Sequence, residues 1–145
     1  MKALIQRVKR ASVTIENELF SEIGKGLLVF VGVEKGDEKI NAEKLADKVV
    51  NLRIFEDENG KMNLSLKDVG GEILIVSQFT LCGDCKKGTR PSFDKSAPLD
   101  LAVDLYEYFI IKVKEHGIKT STGKFRAMMD VELINDGPVT FMVEK

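Results

Sequence analysis

Ser77-Gln78-Phe79-Thr80 sets two hydroxyls, an amide and an aromatic ring where an apolar run, Glu72 to Val76, comes to an end. Residues at the end of a central strand stand on a rigid support, while the terminal backbone N–H groups lose their ladder partners. Free amides of that kind can stabilise an oxyanion. The other reading is a strand emerging into solvent, since exposed polar residues at element ends are routine. Thr80 is the nucleophile that residue type alone would nominate, but no histidine or amine lies beside it to take its proton. The second constellation is Asn135-Asp136-Gly137-Pro138-Val139-Thr140. A Gly-Pro bond gives up most of the trans preference, so a cis form costs only about 0.5–1 kcal/mol and can be fixed by a tight turn. In cis, the Gly137 and Pro138 carbonyls would aim in one direction; an ordinary trans turn is the commoner alternative. The lone histidine, His116, falls in the last turn of an expected helix and reads as a favourable C-terminal charge rather than a base.

The elements that must position these residues follow from periodicity. A β meander is expected from Ala3 to Val8, Ser12 to Ile15 and Leu19 to Ile23, with a turn near Glu16-Asn17. Gly24-Lys25-Gly26 then leads into Leu27 to Val33, apolar enough to be buried on both faces. Ala42, Leu45, Ala46, Val49 and Leu52 recur at helical spacing within 38–52, in a helix starting near Asp37. Asp57-Glu58-Asn59-Gly60 between Arg53–Glu56 and Lys61–Leu64 reads as a hairpin turn. Ser96-Ala97-Pro98 offers a capping hydroxyl and an early proline for a second helix carrying Ala102, Leu105, Phe109, Ile110 and Val113, closed by Gly117. Two further strands are expected at 127–134 and 139–143. The fold class is α/β of the α+β type, a curved, mainly antiparallel sheet or barrel packed with two long helices, and the chain reads as a single domain over 1–145.

Composition excludes several classes of function. The chain has 145 residues, 43% hydrophobic and 31% charged, which suits one domain with a real core. No apolar run approaches the roughly 18 to 20 residues of a membrane span, and Met1-Lys2-Ala3-Leu4 leads straight into strand-like sequence, so a cytoplasmic protein is expected. Two cysteines and one histidine set a low ceiling on metal ligation, and neither metal nor cofactor is expected. The net charge of −1 gives no global positive field, so any nucleic-acid contact must come from local patches.

The two polar constellations, in this order and with Gln6-Arg7-Val8 near the start, resemble the D-aminoacyl-tRNA deacylase family. The likeness extends from Met1 to about Glu144. It rests on long motifs in register: Ile5 to Val8, Gly24-Lys25-Gly26-Leu27-Leu28, Asn51 to Asp57, Val76 to Leu81 and Asn135 to Thr140. The resemblance implies a homodimeric hydrolase that cuts the ester between a D-amino acid and the 3′ acceptor end of tRNA. It implies that Gly137-Pro138 is cis, enters the partner's active site and captures the substrate ammonium while leaving no volume for an L side chain. Exclusion of this kind is indifferent to side-chain identity. Glycine has no handedness, so glycyl-tRNA should also be admitted, including glycine mischarged on the alanine tRNA.

The resemblance further assigns Ser77, Gln78, Phe79 and Thr80 to catalysis. The Phe79 and Thr80 amides would serve as oxyanion donors, Gln78 would position the ester or ribose, and the substrate's 2′-OH would assist water. Arg7 would hold the turn, and Gly137, Pro138, Asn135, Phe125 and Met129 would complete the substrate site. Ser77, Phe79 and Arg7 favour the D-specific branch over a sister family acting on L-alanyl-tRNA. Lys86, Lys87 and Arg90 form the phosphate patch that tRNA would need, or else a solvated loop. Two features depart from the pattern. Arg126 stands where relatives commonly carry glycine, and must point outwards or add a phosphate contact. Cys82-Gly83-Asp84-Cys85 is a CxxC that relatives generally lack, read as two free thiols, with a redox pair or half of a bridging metal site as alternatives.

Overall fold

A computed structural model describes residues 1–145. Its spine is one strand, β1 (Lys2–Ile15), which pairs antiparallel with β2 (Glu18–Ile23), β3 (Gly26–Gly32) and the last strand, β8 (Asp130–Glu144). β6 (Glu72–Ser77) adds to β3 in parallel, and β7 (Thr120–Thr122) adds to β6 in parallel. Side chains then bring β7 back to β2: Ser21 Oγ donates to the Thr122 carbonyl at 2.8 Å and Ser121 Oγ to the Glu22 carbonyl at 3.2 Å. The sheet is a nearly closed barrel.

Alternation along the strands divides the apolar residues between two cores. Ala3 and Ile5 of β1, Leu27, Val29 and Val31 of β3, and Ile73 and Ile75 of β6 join a 23-residue cluster under the helices. Val8, Ala11 and Val13, with Leu28, Leu74 and Val76, point the other way into a seven-residue cluster inside the barrel. That is why β3 and β6 read as unbroken apolar runs: each face meets a core. The helices α1 (Lys39–Asn51) and α2 (Leu99–Glu115) lie on the outer face and bury Ala42, Leu45, Ala46 and Val49 from one, Leu105, Tyr106, Phe109 and Val113 from the other. The expected hairpin is present as β4 (Phe55–Glu56) and β5 (Met62–Leu64), with Gly60 at φ +71 supplying the left-handed turn residue.

Several local expectations are corrected. β1 is continuous where two strands were expected, because its first half pairs with β3 and its second with β2 while β8 runs along both. The start of α1 near Asp37 holds, with Glu38 as its N-cap, while Asp37 Oδ1 binds the Met1 ammonium at 2.5 Å. Ser96 does not cap α2, whose N-cap is Pro98, and the buried Ser96 hydroxyl has no partner. The strand β7 escaped the sequence reading, being too short to display a period. Residues 127–129 precede β8 rather than belonging to it, and β8 runs through the Gly-Pro step as one irregular strand.

Candidate active site

β6 ends at Ser77, and the chain at once tightens into a 3-10 turn, Phe79–Cys82. Gln78 bridges the two: its backbone N–H donates to the Val31 carbonyl at 2.7 Å, and its carbonyl accepts from Leu81 N–H at 3.2 Å. The first amides of such a turn, on Phe79 and Thr80, have no partner within it. The Gln78 side-chain amide donates to Thr80 Oγ1. This bond occupies the threonine oxygen as an acceptor and provides nothing that would remove its proton. Phe79 is 58% exposed and stacks at a tilt on Phe93, with ring centroids 5.0 Å apart.

Beside this strand end lies a largely apolar cavity of about 570 Å³, walled by Ser77, Gln78 and Phe79 on one side and by Phe125 and Met129 on the other, with Ala102 of α2 as its back. The cavity has room for a nucleoside. Tyr106, one turn further along α2, supports its floor. Its ring packs on Phe125 with centroids 5.5 Å apart, and its hydroxyl donates to the Ile75 carbonyl at 2.9 Å, two residues before Ser77. Burial pushes the Tyr106 phenol well above its ordinary pKa, so it remains a neutral donor. The Ile75 carbonyl also accepts from Gly123 N–H at 2.9 Å. Tyr106→Phe therefore leaves that carbonyl with a partner, and the expected loss is about 1 kcal/mol. By thermal melting the midpoint should fall by about 3 °C; an unchanged melt would remove Tyr106 as a support of β6. Sequence reading missed both Ala102's role in the cavity and Tyr106's hydroxyl, since a tyrosine at a core helical position signals only packing.

The second constellation lies elsewhere in the chain. In the β1–β8 ladder Gln6 pairs with Thr140 and Val8 with Asn135, so residues 136–139 face Arg7 alone and bulge out. The Gly137-Pro138 bond in this bulge is cis, and both residues are exposed. Arg7, 5% exposed, braces the bulge from within. Its Nε donates to the Asp136 carbonyl at 2.9 Å and its Nη1 to the Ile54 carbonyl at 2.7 Å, with the Asp136 carboxylate 3.3 Å away and Glu56 at 3.6 Å. Asn135 Nδ2 spans the bulge, donating to the carbonyls of Arg7 at 3.2 Å and Val139 at 3.1 Å.

The two constellations do not meet within one chain. Arg7 is paired with Leu27 of β3, whereas Ser77 is paired with Val31, four residues along the same strand. That is about 13 Å at strand rise, with β1 and β3 intervening between β8 and β6. Exposed apolar side chains flank the bulge on β8: Ile134, Phe141 and Met142.

A family model described as D-Tyr-tRNA(Tyr) deacylase matches residues 4–144. The chain belongs to this family. It is 61% identical over 143 residues to the D-aminoacyl-tRNA deacylase of Thermodesulfovibrio yellowstonii, covering 99% of this chain and 98% of that one. Identity is 57% to the D-aminoacyl-tRNA deacylase of Pelobacter propionicus across the whole of both chains. Among solved structures, the c-Myc DNA Unwinding Element Binding Protein superposes with a TM-score of 0.94 at 42% identity, covering 100% of this chain and 99% of that one. A probable eukaryotic D-amino acid tRNA deacylase superposes at 0.83 with 17% identity over 99% and 98% of the two chains, a likeness of fold alone. The protein is thus a deacylase that hydrolyses the aminoacyl ester of D-aminoacyl-tRNA.

In this deacylase Lys86, Lys87 and Arg90 are exposed on the loop that follows the 3-10 turn, and Lys86 lines a second hollow with Lys2 and Lys95. Both cysteines are free. Cys82 is buried, its thiol 3.4 Å from the Val33 carbonyl, and burial pushes its pKa up; Cys85 is exposed. No three His, Cys, Asp or Glu side chains come together as a metal-ion site. No helix is long and apolar enough to cross a membrane.

Proposed function

We propose that the deacylase enforces handedness with the Asp136–Val139 bulge of a second copy, inserted against the Ser77–Thr80 strand end of the first. The observation that carries this reading is the separation of the two constellations. An exposed cis Gly-Pro turn, held by a buried arginine, lies about 13 Å and two strands from the cavity of its own chain, amid the apolar side chains a dimer would cover. In a two-fold dimer each turn would serve the partner's site.

Within that site the terminal adenosine of tRNA would occupy the cavity between Phe79, Phe125 and Met129. The ester would then lie at the strand end. Gly137 and Pro138 carbonyls would take the substrate ammonium and fill the space an L side chain needs, so selection works by exclusion. Glycyl-tRNA, including glycine on the alanine tRNA, would pass the same filter. An aminoacyl ester is already activated, and orientation together with oxyanion stabilisation meets most of the demand. The Phe79 and Thr80 amides would hold the oxyanion, Ser77 and Gln78 would orient the ester and ribose, and the ribose 2′-OH would assist attack by water. Lys86, Lys87 and Arg90 would follow the acceptor-strand phosphates, giving broad use of different tRNAs. Such a substrate is made and consumed where translation runs, which assigns the enzyme to the cytoplasm.

The deciding experiment follows ester loss from matched D- and L-tyrosyl-tRNA, with light scattering at micromolar protein. Selective loss of the D ester by a dimer is expected; a monomer retaining full D selectivity would sink the shared site. On the same substrates Thr80→Ala should lower kcat by less than about tenfold. Turnover abolished with binding intact would return Thr80 to the role of nucleophile.

A further inference from the structure

One charged side chain borders the otherwise neutral cavity: Arg126. It is exposed and makes no ion pair within the chain. Its backbone is left-handed, φ +67, a conformation that disfavours any residue with a β carbon by about 1 kcal/mol. An arginine held there, at the rim of a cavity, without an internal partner, has a guanidinium available for a ligand. Asp100 and Asp104 of α2 line the shallow hollow on its other side, of about 480 Å³, together with Phe125 and Arg126 itself. Neither carboxylate comes within the 4.0 Å of an ion pair. The carboxylates do not reach the cavity itself, so on that side Arg126 is the one charge an anion leaving it would meet.

With the adenosine seated as proposed above, its 3′ ester lies at Ser77–Thr80 and its 5′ oxygen must leave by another side of the cavity. The 125–129 wall is the side that carries a cation. We propose that Arg126 binds the phosphodiester joining the terminal adenosine to the preceding nucleotide, and so fixes the register of the 3′ end against the strand end. A guanidinium fork matches two phosphate oxygens at once, which an ammonium does not. This rests on the nucleoside reading of the cavity, and the test separates the two.

The probes are two non-hydrolysable ligands, 3′-(D-tyrosylamino)-3′-deoxyadenosine and the same nucleoside extended by a cytidine 3′-phosphate on its 5′ oxygen. Their affinities are measured by calorimetry over a range of salt. Arg126→Gly, which relaxes the backbone and will fold, should weaken the dinucleotide about tenfold while leaving the nucleoside unchanged. The slope of log affinity against log salt for the dinucleotide should fall by about 0.7, one single-strand phosphate contact. Arg126→Lys should recover the slope and only part of the affinity. Equal losses for both ligands, or a dinucleotide affinity and slope that do not move, would overturn the assignment. Ala102→Phe, which fills the cavity, should block both ligands with the fold intact by thermal melting. If it blocks both while Arg126→Gly does nothing, the phosphate role alone is lost; if the nucleoside still binds it at parental affinity, the cavity reading falls and this proposal with it.

Discussion

Replacing Arg7 with alanine should destabilise the chain by about 3 kcal/mol and lower kcat/KM on D-tyrosyl-tRNA by about a hundredfold at a temperature where the variant remains folded. The guanidinium is almost wholly buried and binds two main-chain carbonyls, Asp136 and Ile54, while neutralising Asp136 and Glu56. Its removal leaves the Ile54 carbonyl without its only donor from a side chain and the half-buried Asp136 carboxylate without a counter-charge, a cost that truncation of one partner regularly incurs, while the exposed Glu56 stays solvated. The bulge simultaneously loses the contact that holds its Asp136 carbonyl inward. Arg7→Lys should recover little, since one ammonium at the end of a flexible stem cannot span two carbonyls as a planar fork does. Equilibrium unfolding in urea and steady-state kinetics read the two effects separately. A variant as stable as the parent, or one whose activity follows stability alone, would remove Arg7 as the brace of the turn.

Gly137→Ala should have the opposite balance, a change of less than about 1 kcal/mol in stability with a loss of about a hundredfold on the D substrate. A β carbon on Gly137 would collide with Asn135 Oδ1. An amide at the end of a free side chain would swing aside at little cost, but this one donates to the carbonyls of both Arg7 and Val139. Asn135 must either give up those bonds or push residue 137 away, and either route displaces the carbonyls proposed to meet the substrate. Gly137 and Pro138 are exposed and only Val139 of the bulge reaches the core, so little packing is disturbed at the substituted position. The ratio of D- to L-tyrosyl-tRNA hydrolysis should narrow along with the rate. If the rate falls while the ratio is kept, the turn contributes to orientation and not to the rejection of L substrates.

The sequence was most informative where a residue's type had a single structural use. The double-sided burial of β3 and β6 was legible in their unbroken apolar runs, and the hairpin in its Asn-Gly pair, whose glycine takes the left-handed turn conformation. The family was legible through motifs in register, and the matching family model over 4–144 agrees. What stayed hidden depends on long-range geometry. Nothing local tells that Lys2–Ile15 is one strand shared by three partners, or that the Ser96 hydroxyl is buried without a partner while Pro98 opens α2. Arg7 was placed at the turn by the family likeness alone; nothing in its strand signals burial, which the ladder irregularity opposite it explains. Arg126 stood out because relatives commonly carry glycine there, and its left-handed backbone, φ +67, gives the physical reason for that glycine.

The two cores divided by β3 and β6 also govern how this protein can drift. Leu27 to Val29, with Ile73 to Val76, offers no side chain to solvent, so every substitution along these stretches is a change to an interior. Only swaps that conserve apolar volume pass there at small cost. The strand end that carries Ser77 therefore extends from a stretch enclosed on both faces, and its position is fixed by the packing of two cores at once rather than by the loop that follows it.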